Sequence, residues 1–222
     1  MKNPKKILIV IQRSNGDVFL SSSLVKNLYD YYKSPEIDLL VNDDTFGTAK
    51  MIPCISKLHK FSYKKKSKNQ FQQEKSIFKS IFRKYDLSIS LTSSDRSVFY
   101  ALIASKKSIA PIEKKIHKSW WKKLFLTYYY YYDQNRHILI HNLEPLKLLG
   151  IAYDNIMFSP LISESTLNHI RVKFQIPEDT NFLIFHPSAQ YEYKLYPKNQ
   201  RHELIKLLSS LGILILITGG SN

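Results

Sequence analysis

The sequence predicts an α/β protein: one whole domain built on a parallel sheet, followed by the start of a second. Three observations carry this. Residues 7–11, I-L-I-V-I, form an unbroken aliphatic run of the kind buried on both faces of a parallel sheet. The run stops at the turn residues Ser14, Asn15, Gly16 and Asp17, after which Val18, Leu20, Leu24, Val25 and Leu28 recur at helical spacing. The order of apolar run, polar turn and helix returns at residues 86–104, and a further series begins at residue 181. In such domains ligands sit at the carboxyl ends of the strands, so Asp17 is placed to face one. A helix cap is the other use of an aspartate there, and the turn by itself does not choose. The dinucleotide pattern G-x-G-x-x-G is absent.

Taken in order, residues 37–41 (I-D-L-L-V) read as a second strand, with Asn42, Asp43 and Asp44 as its turn. Residues 46–51 suit a short helix, and 54–61 alternate as a strand in which His59 is expected at the surface or half-buried. Residues 63–75 are polar and rich in lysine (Lys64, Lys65, Lys66, Lys68), which suits either a solvated loop or an anion-binding rim. Ile77, Phe78, Ile81 and Phe82 mark a helix over 74–83. Residues 86–91 alternate as a strand ending in Thr92 to Arg96, and a helix follows over 98–104. Arg96 near a helix start opposes the helix dipole, which an anion would reward.

Residues 106–123 interleave lysines with Trp120 and Trp121, and five tyrosines follow at 128–132. Three readings fit: a helix with an aromatic core face, contact with an anionic bilayer, or stacking on single-stranded bases. Leu139, Leu143, Leu146 and Leu149 share a helical face that Gly150 closes. Pro145 sets the expected helix start near Asn142. After a change of character near Ser159 and Pro160, a helix is expected over 165–174 with Leu167, Ile170 and Phe174 inward. A strand at 181–185, a helix at 201–211 and a strand at 213–217 complete the chain. Two strands are too few to cover a sheet. The domains are therefore set at 1–160 and 161–222, the second incomplete.

A 44% hydrophobic and 13% aromatic composition over 222 residues supports a sizeable core and excludes general disorder. The single cysteine, Cys54, excludes an internal disulfide and a cysteine-based zinc site, and a reducing, cytosolic setting fits it. Residues 7–11 are too short for a secretory signal, and no run approaches the ~18 apolar residues of a membrane span. Thirty-three basic against eighteen acidic residues, net +15, favour a polyanionic partner. Nucleic acid, an anionic membrane surface and a phosphorylated small molecule all qualify, and free use of Lys, Asn, Ile and Tyr is also the habit of an AT-rich genome.

Three segments together resemble the ADP-heptose:lipopolysaccharide heptosyltransferase family, glycosyltransferase family 9. The first is the opening strand running into Gly16-Asp17, similar to that family's S-x-G-D turn. The second is Tyr85-Asp86-Leu87 with residues 93–97, similar to its Y-D-x-x-I-D-x-x-G-x-x-[KR]-S segment. The third runs from His186-Pro187-Ser188-Ala189 through Lys194-Leu195-Tyr196-Pro197 to Thr218-Gly219-Gly220, where the family has H-P-G-A, K-x-W-P and T-G-G. Ser188 stands where Gly is usual, Tyr196 where Trp is usual, and Ser90 where Asp is common.

The resemblance implies a GT-B-like fold of two Rossmann-like domains and an inverting, metal-independent transfer of heptose from an ADP-sugar to the lipopolysaccharide inner core. It implies Asp17 as general base, with Ser188, Lys194, Thr218 and Gly219 on the donor side. Ser14, Asn15, Gly16, Lys64 and Arg96 are expected to serve the acceptor. No cofactor is implied beyond the ADP-sugar donor, ADP-heptose or similar. The expected partners are the lipid A–core acceptor and the anionic inner-membrane surface, with the protein peripheral on its cytoplasmic face. A basic nucleic-acid-binding protein ranks below this because no DNA- or RNA-reading motif is present; a non-catalytic membrane-associated remnant is the third reading. The family's later donor-holding segment, an aspartate- and glycine-containing turn followed by a histidine, has no counterpart in these residues. A chain truncated at its C-terminus, with weak donor binding and little turnover by itself, is therefore expected.

Overall fold

The computed structural model describes residues 3–154, 158–189 and 192–219, with the side chains of 65–70, 116 and 118 outside that description. Gly220 and the side chains of Lys65, Lys66 and Lys68 therefore lie outside the described residues. The chain divides into two compact units, Met1–Leu161 and Ile162–Asn222.

Unit 1 is built on a six-stranded sheet in the order β3-β2-β1-β4-β5-β6, with every pair parallel. The strands are β1 Lys6–Ile11, β2 Glu36–Asn42, β3 Ile55–Phe61, β4 Leu87–Ser90, β5 Ser108–Ile112 and β6 Tyr128–Tyr131. Side chains alternate across a strand, so β1 serves both faces at once. Ile7, Ile9 and Ile11 pack with Leu24, Val25 and Leu28 of α2 (Ser22–Tyr31) and with Leu143 and Leu146 of α7 (Ile138–Leu148). Leu8 and Val10 pack on the opposite face with Ile77 and Ile81 of α4 (Tyr63–Ile81) and Tyr100 of α5 (Asp95–Ala104).

The first expected helix is two: α1, Asn15–Leu20, then α2, with Ser21 at the junction. The short helix after β2 is α3, Phe46–Lys50. Residues 63–75 are not a loop but the first part of the nineteen-residue α4, because Lys, Gln and Glu are good helix formers however polar they are. Strands β5 and β6 lack the alternating pattern of a half-buried strand, although the tyrosines of β6 favour extended structure. Pro111 sits within β5, beyond the two positions paired with β4. Of the tyrosine run, 128–131 form the edge strand β6, with Tyr130 buried while Tyr129 and Tyr131 are exposed. The run is therefore split between the two faces of the sheet, with the Tyr129 and Tyr131 rings in edge contact on the exposed one, their centroids 6.0 Å apart. On α6 (Ile116–Phe125), Trp121 packs near Val98, Ala110 and Ile112, whereas Trp120 faces solvent.

Helix α7 starts at Ile138, four residues before the expected start, and keeps Pro145 inside it. Proline costs a helix interior one hydrogen bond; burial of Leu143, Pro145 and Leu146 against the sheet offsets that cost. His59 is buried rather than near the surface. The Tyr85 hydroxyl donates to Asp38 Oδ2 at 2.7 Å and lies 2.9 Å from His59 Nε2, and Ser80 Oγ is 3.2 Å from His59 Nδ1.

Burial works against the Asp38 charge, but hydrogen bonds with His59 and Tyr85 and the charge of Lys6 outweigh it, so this carboxyl titrates below the usual aspartate value. A carboxyl depressed on folding stabilises the fold above its unfolded value, and that contribution is lost as pH falls through the lower folded value. The melting temperature of unit 1 is expected to fall below about pH 4, and Asp38→Asn is expected to flatten that fall. Equally steep acid curves for the two proteins would assign the acid response to other groups.

Unit 2 holds the parallel pair β7 (Phe182–Phe185) and β8 (Leu214–Ile217), with α8 (Glu164–Phe174) and α9 (Lys198–Ser209). Leu167, Ile170 and Phe174 are exposed rather than inward, and neither helix has a buried residue. Two strands and two short helices supply too little surface to enclose them.

Candidate active site

In the order β2-β1-β4 the chain leaves β1 toward β2 on one side and returns to β4 on the other. Such a switch point opens a crevice at the carboxyl ends of the strands. A cavity of about 490 Å³ lies there, lined by Gln12 and Arg13 after β1, Thr92–Ser94 after β4, Glu113 after β5 and Tyr132 after β6, together with Ser14 and Asp17.

Asp17 is the third residue of α1. Ser14 occupies the cap position and makes no side-chain cap bond, so Asp17 is not the N-cap. Its carboxylate is a quarter exposed, and Arg13 Nε donates to Oδ2 at 3.0 Å. Arg13 Nη2 donates to the Tyr132 hydroxyl at 3.1 Å, and its guanidinium lies 5.4 Å from that ring's centroid. Burial works against the Arg13 charge; Tyr132 and Asp17 more than compensate, and its pKa lies above the usual arginine value. Among the described residues Oδ1 of Asp17 has no hydrogen-bond partner, so one oxygen is anchored and the other is available to a ligand.

The floor of the cavity is a polar lock. Gln12 accepts from the Ser97 hydroxyl at 2.8 Å through Oε1, donates to Asn42 at 3.3 Å through Nε2, and its backbone N–H reaches Thr92 Oγ1 at 3.2 Å. The wall formed by Ser93 and Glu113 is tied down by Lys122 of α6, whose side chain is only 1% exposed. Lys122 Nζ donates to Ser93 O at 2.6 Å and to Glu113 Oε2 at 3.1 Å, and forms an ion pair with Asp95 Oδ1 at 2.9 Å.

The other acceptor-side residues are distributed. Asn15 Oδ1 accepts from the Thr48 hydroxyl at 2.6 Å. Gly16 is open, since a Cβ there would meet nothing within 4 Å. Lys64 stands exposed in the first turn of α4. Arg96 lies 3.4 Å from Glu74 and 4.4 Å from the Phe61 ring centroid, so its charge at the start of α5 is met from within the fold. Neither Lys64 nor Arg96 lines the Asp17 cavity. The second motif is largely structural: Asp86 accepts the backbone N–H groups of Lys5 and Lys6 at 2.9 and 3.0 Å, and Ser94 accepts from Ser97 N at the start of α5.

Unit 2 gathers the third motif at the carboxyl ends of its two strands. His186 Nδ1 is 2.9 Å from Thr218 Oγ1, and its Nε2 is 3.2 Å from Ser188 Oγ. Arg201 Nη1 donates to Pro187 O at 3.1 Å, and a Cβ on Gly219 would lie 3.5 Å from Ser188 Oγ. His186 thus links Ser188 and Thr218, and Gly219 adjoins the Ser188 hydroxyl. Lys194 sits in a single 3-10 turn, Glu192–Lys194, with Nζ 5.7 Å from the Tyr193 ring centroid.

Sequence reasoning did not single out Arg13, Gln12, Glu113, Lys122, Tyr132, His186 or Arg201. Glu113 and Tyr132 follow strands without a legible pattern, and Lys122 was one lysine among many. His186 opens the third motif and is legible there. Among the described residues, no group of three His, Cys, Asp or Glu is placed to hold a metal ion, and no helix is long and apolar enough to cross a membrane.

The fold that places this open carboxylate at the switch point of a parallel sheet, with a second α/β unit after it in the chain, is the GT-B-like fold of glycosyltransferase family 9 structures. The chain superposes on the glycosyl transferase family 9 structure from Veillonella parvula with a TM-score of 0.79 at 17% identity, covering 98% of this chain and 63% of that one. It superposes on Escherichia coli heptosyltransferase WaaC with ADP-2-deoxy-2-fluoro heptose at 0.71 and 18%, covering 97% and 69%. For E. coli ADP-heptose lps heptosyltransferase II the values are 0.73 and 16%, covering 97% and 65%. In sequence the chain is similar to lipopolysaccharide heptosyltransferase 3 of E. coli, 23% identical over 216 residues, covering 94% of this chain and 62% of that protein. No family model matches the chain. It spans less than two thirds of the length of the curated relatives it matches. Sequence and fold together support the heptosyltransferase resemblance.

Proposed function

We propose that this chain carries the acceptor-side site of an inverting glycosyltransferase that moves heptose from an ADP-sugar to the lipopolysaccharide inner core. The observation that carries this is the Asp17 carboxylate, held through Oδ2 by Arg13 and open at Oδ1 in the switch-point cavity. A general base must lie within hydrogen-bond reach of the proton it takes. In the proposed step an acceptor hydroxyl approaches Oδ1, its oxygen bonds to the anomeric carbon, and its proton passes to Asp17. The bond from that carbon to the diphosphate breaks, the electron pair leaves with ADP, and attack from the opposite face inverts the centre.

Ser14, Asn15 and Gly16 are the proposed acceptor contacts beside the base. Lys64 and Arg96 are proposed as outer cations for acceptor phosphates or carboxylates, with Arg96 giving up part of its pairing to Glu74. Ser188, Lys194, Thr218 and Gly219 are proposed to meet the donor diphosphate, for which cations and hydrogen-bond donors offset the charge of the leaving group. No cofactor and no metal enter this reading. A lipid A–core acceptor goes with work at the cytoplasmic face of the inner membrane.

The test is transfer in a full-length context, with ADP-heptose and purified heptose-deficient lipid A–core, read by mass spectrometry. The acceptor is expected to gain the mass of one heptose. No gain, with ADP-sugar binding intact, would remove heptose transfer to this acceptor from the reading.

A further inference from the structure

On the α4–α5–α6 side of its sheet, unit 1 carries an apolar groove that takes no part in the proposed transfer. Phe99, Leu102, Ile103, Trp121 and Phe125 line it, and its volume is about 520 Å³. A neighbouring depression of about 340 Å³, reached past Phe71 and Phe78, shares Phe99 and Ile103 with it, so the two form one trench along α5. Phe99 is 49% and Phe125 63% exposed. A continuous apolar strip of this kind marks a contact surface, whereas isolated exposed side chains do not.

The charged groups lining the larger groove are cationic; the smaller depression is lined by Lys75 and by Glu74, whose carboxylate is already engaged by Arg96 and the Tyr100 hydroxyl. Arg83 and Lys106 both line the groove and are exposed, and among the described residues neither pairs with a carboxylate. Arg83 is fixed in place: its backbone takes a positive φ of 52°, and its N–H donates to Ile103 O at 2.9 Å.

We propose that this trench docks unit 1 on an anionic phospholipid bilayer, with an acyl chain seated between Phe99 and Phe125 and the lipid phosphate met by Arg83 and Lys106. Charge selects this occupant. A second copy would bring the same cations to the rim of a chain already at +15, and a nucleic acid has no aliphatic chain to fill the groove. Trp121 at the groove is the residue type that favours the bilayer interface. The inference builds on the lipid-linked acceptor of the proposed function, but vesicle binding is measured without turnover, so either can fail alone.

The test mixes the purified 222-residue protein with vesicles of phosphatidylglycerol and phosphatidylcholine, or of phosphatidylcholine alone, and measures partitioning by sedimentation. Phe99→Ser with Phe125→Ser is expected to lower partitioning onto the anionic vesicles by about tenfold or more. Arg83→Gln with Lys106→Gln is expected to lower it by about 25-fold, since each basic residue at such a surface contributes about fivefold. The second pair changes only exposed polar side chains, so its result does not depend on the core. In a Trp120→Phe background Trp121 is the single tryptophan, and brominated acyl chains are expected to quench it. Unchanged partitioning in both double variants, an unquenched Trp121, or equal binding to phosphatidylcholine alone overturns the proposal. Groove variants that shift only self-association, or that weaken oligonucleotide binding while vesicle binding persists, overturn it as well.

Discussion

Asp17→Asn in a full-length context is expected to lower heptose transfer by about 10³-fold, within the range that a positioned general base contributes, while ADP-sugar affinity stays within about twofold of the parent. Asparagine keeps the shape of the side chain and can still accept from Arg13 Nε through its carbonyl oxygen. It cannot take the proton of the attacking hydroxyl. The ion pair lost with Arg13 is part-exposed and is worth at most about 1 kcal/mol, and Arg13 keeps its bond to Tyr132, so stability should hardly change. The measurement is single-turnover transfer beside calorimetric binding of the donor. Near-normal turnover would remove Asp17 from the chemistry. Equal loss of donor binding and rate would make it a binding group.

Lys122→Met is expected to be the most damaging single change outside the aliphatic core. Lys122 is almost fully buried, and three oxygens converge on its ammonium from the Ser93 backbone, Asp95 and Glu113. Methionine replaces the stem and removes the charge. Breaking a buried pair costs about 3–5 kcal/mol when both partners are desolvated. Asp95 and Glu113 retain access to water, and the loss should be nearer about 2 kcal/mol, or roughly 4–8 °C for a domain of this size. Urea unfolding should show a lower midpoint with an unchanged slope. Ser93 and Glu113 form one wall of the Asp17 cavity, so acceptor KM should also rise. A midpoint within about 0.2 M of the parent's would show that Lys122 holds nothing in place.

The legible parts of the chain were those whose pattern is local. The β-branched run of β1, the alternation at residues 86–91 and the turn at Ser14 to Asp17 each state their role within a few residues, and the structure places an open carboxylate where that turn had put it. The illegible parts depend on neighbours. Strand β5 carries Pro111, and β6 is four tyrosines, a residue that favours strands but here without the apolar–polar alternation that marks a buried face; both exist because β4 and then β5 offer a free edge. Glu113 and Tyr132 were missed along with those strands. His59 was expected nearer the surface because a lone histidine in an alternating segment says nothing of Tyr85, twenty-six residues away, which closes over it.

By itself the sequence determined the α/β class and the position of Asp17 at the end of the first strand. Hydrophobic period and turn chemistry act over a handful of residues and need no partner to be read. Only the tertiary structure decided which lysine among the many became a buried tie, that Arg96 would be matched by Glu74, and that one oxygen of Asp17 would be held while the other stayed open. Those outcomes are set by charges and hydrogen bonds between segments far apart in the chain, whose strength depends on burial and on distances that exist only once the sheet has assembled.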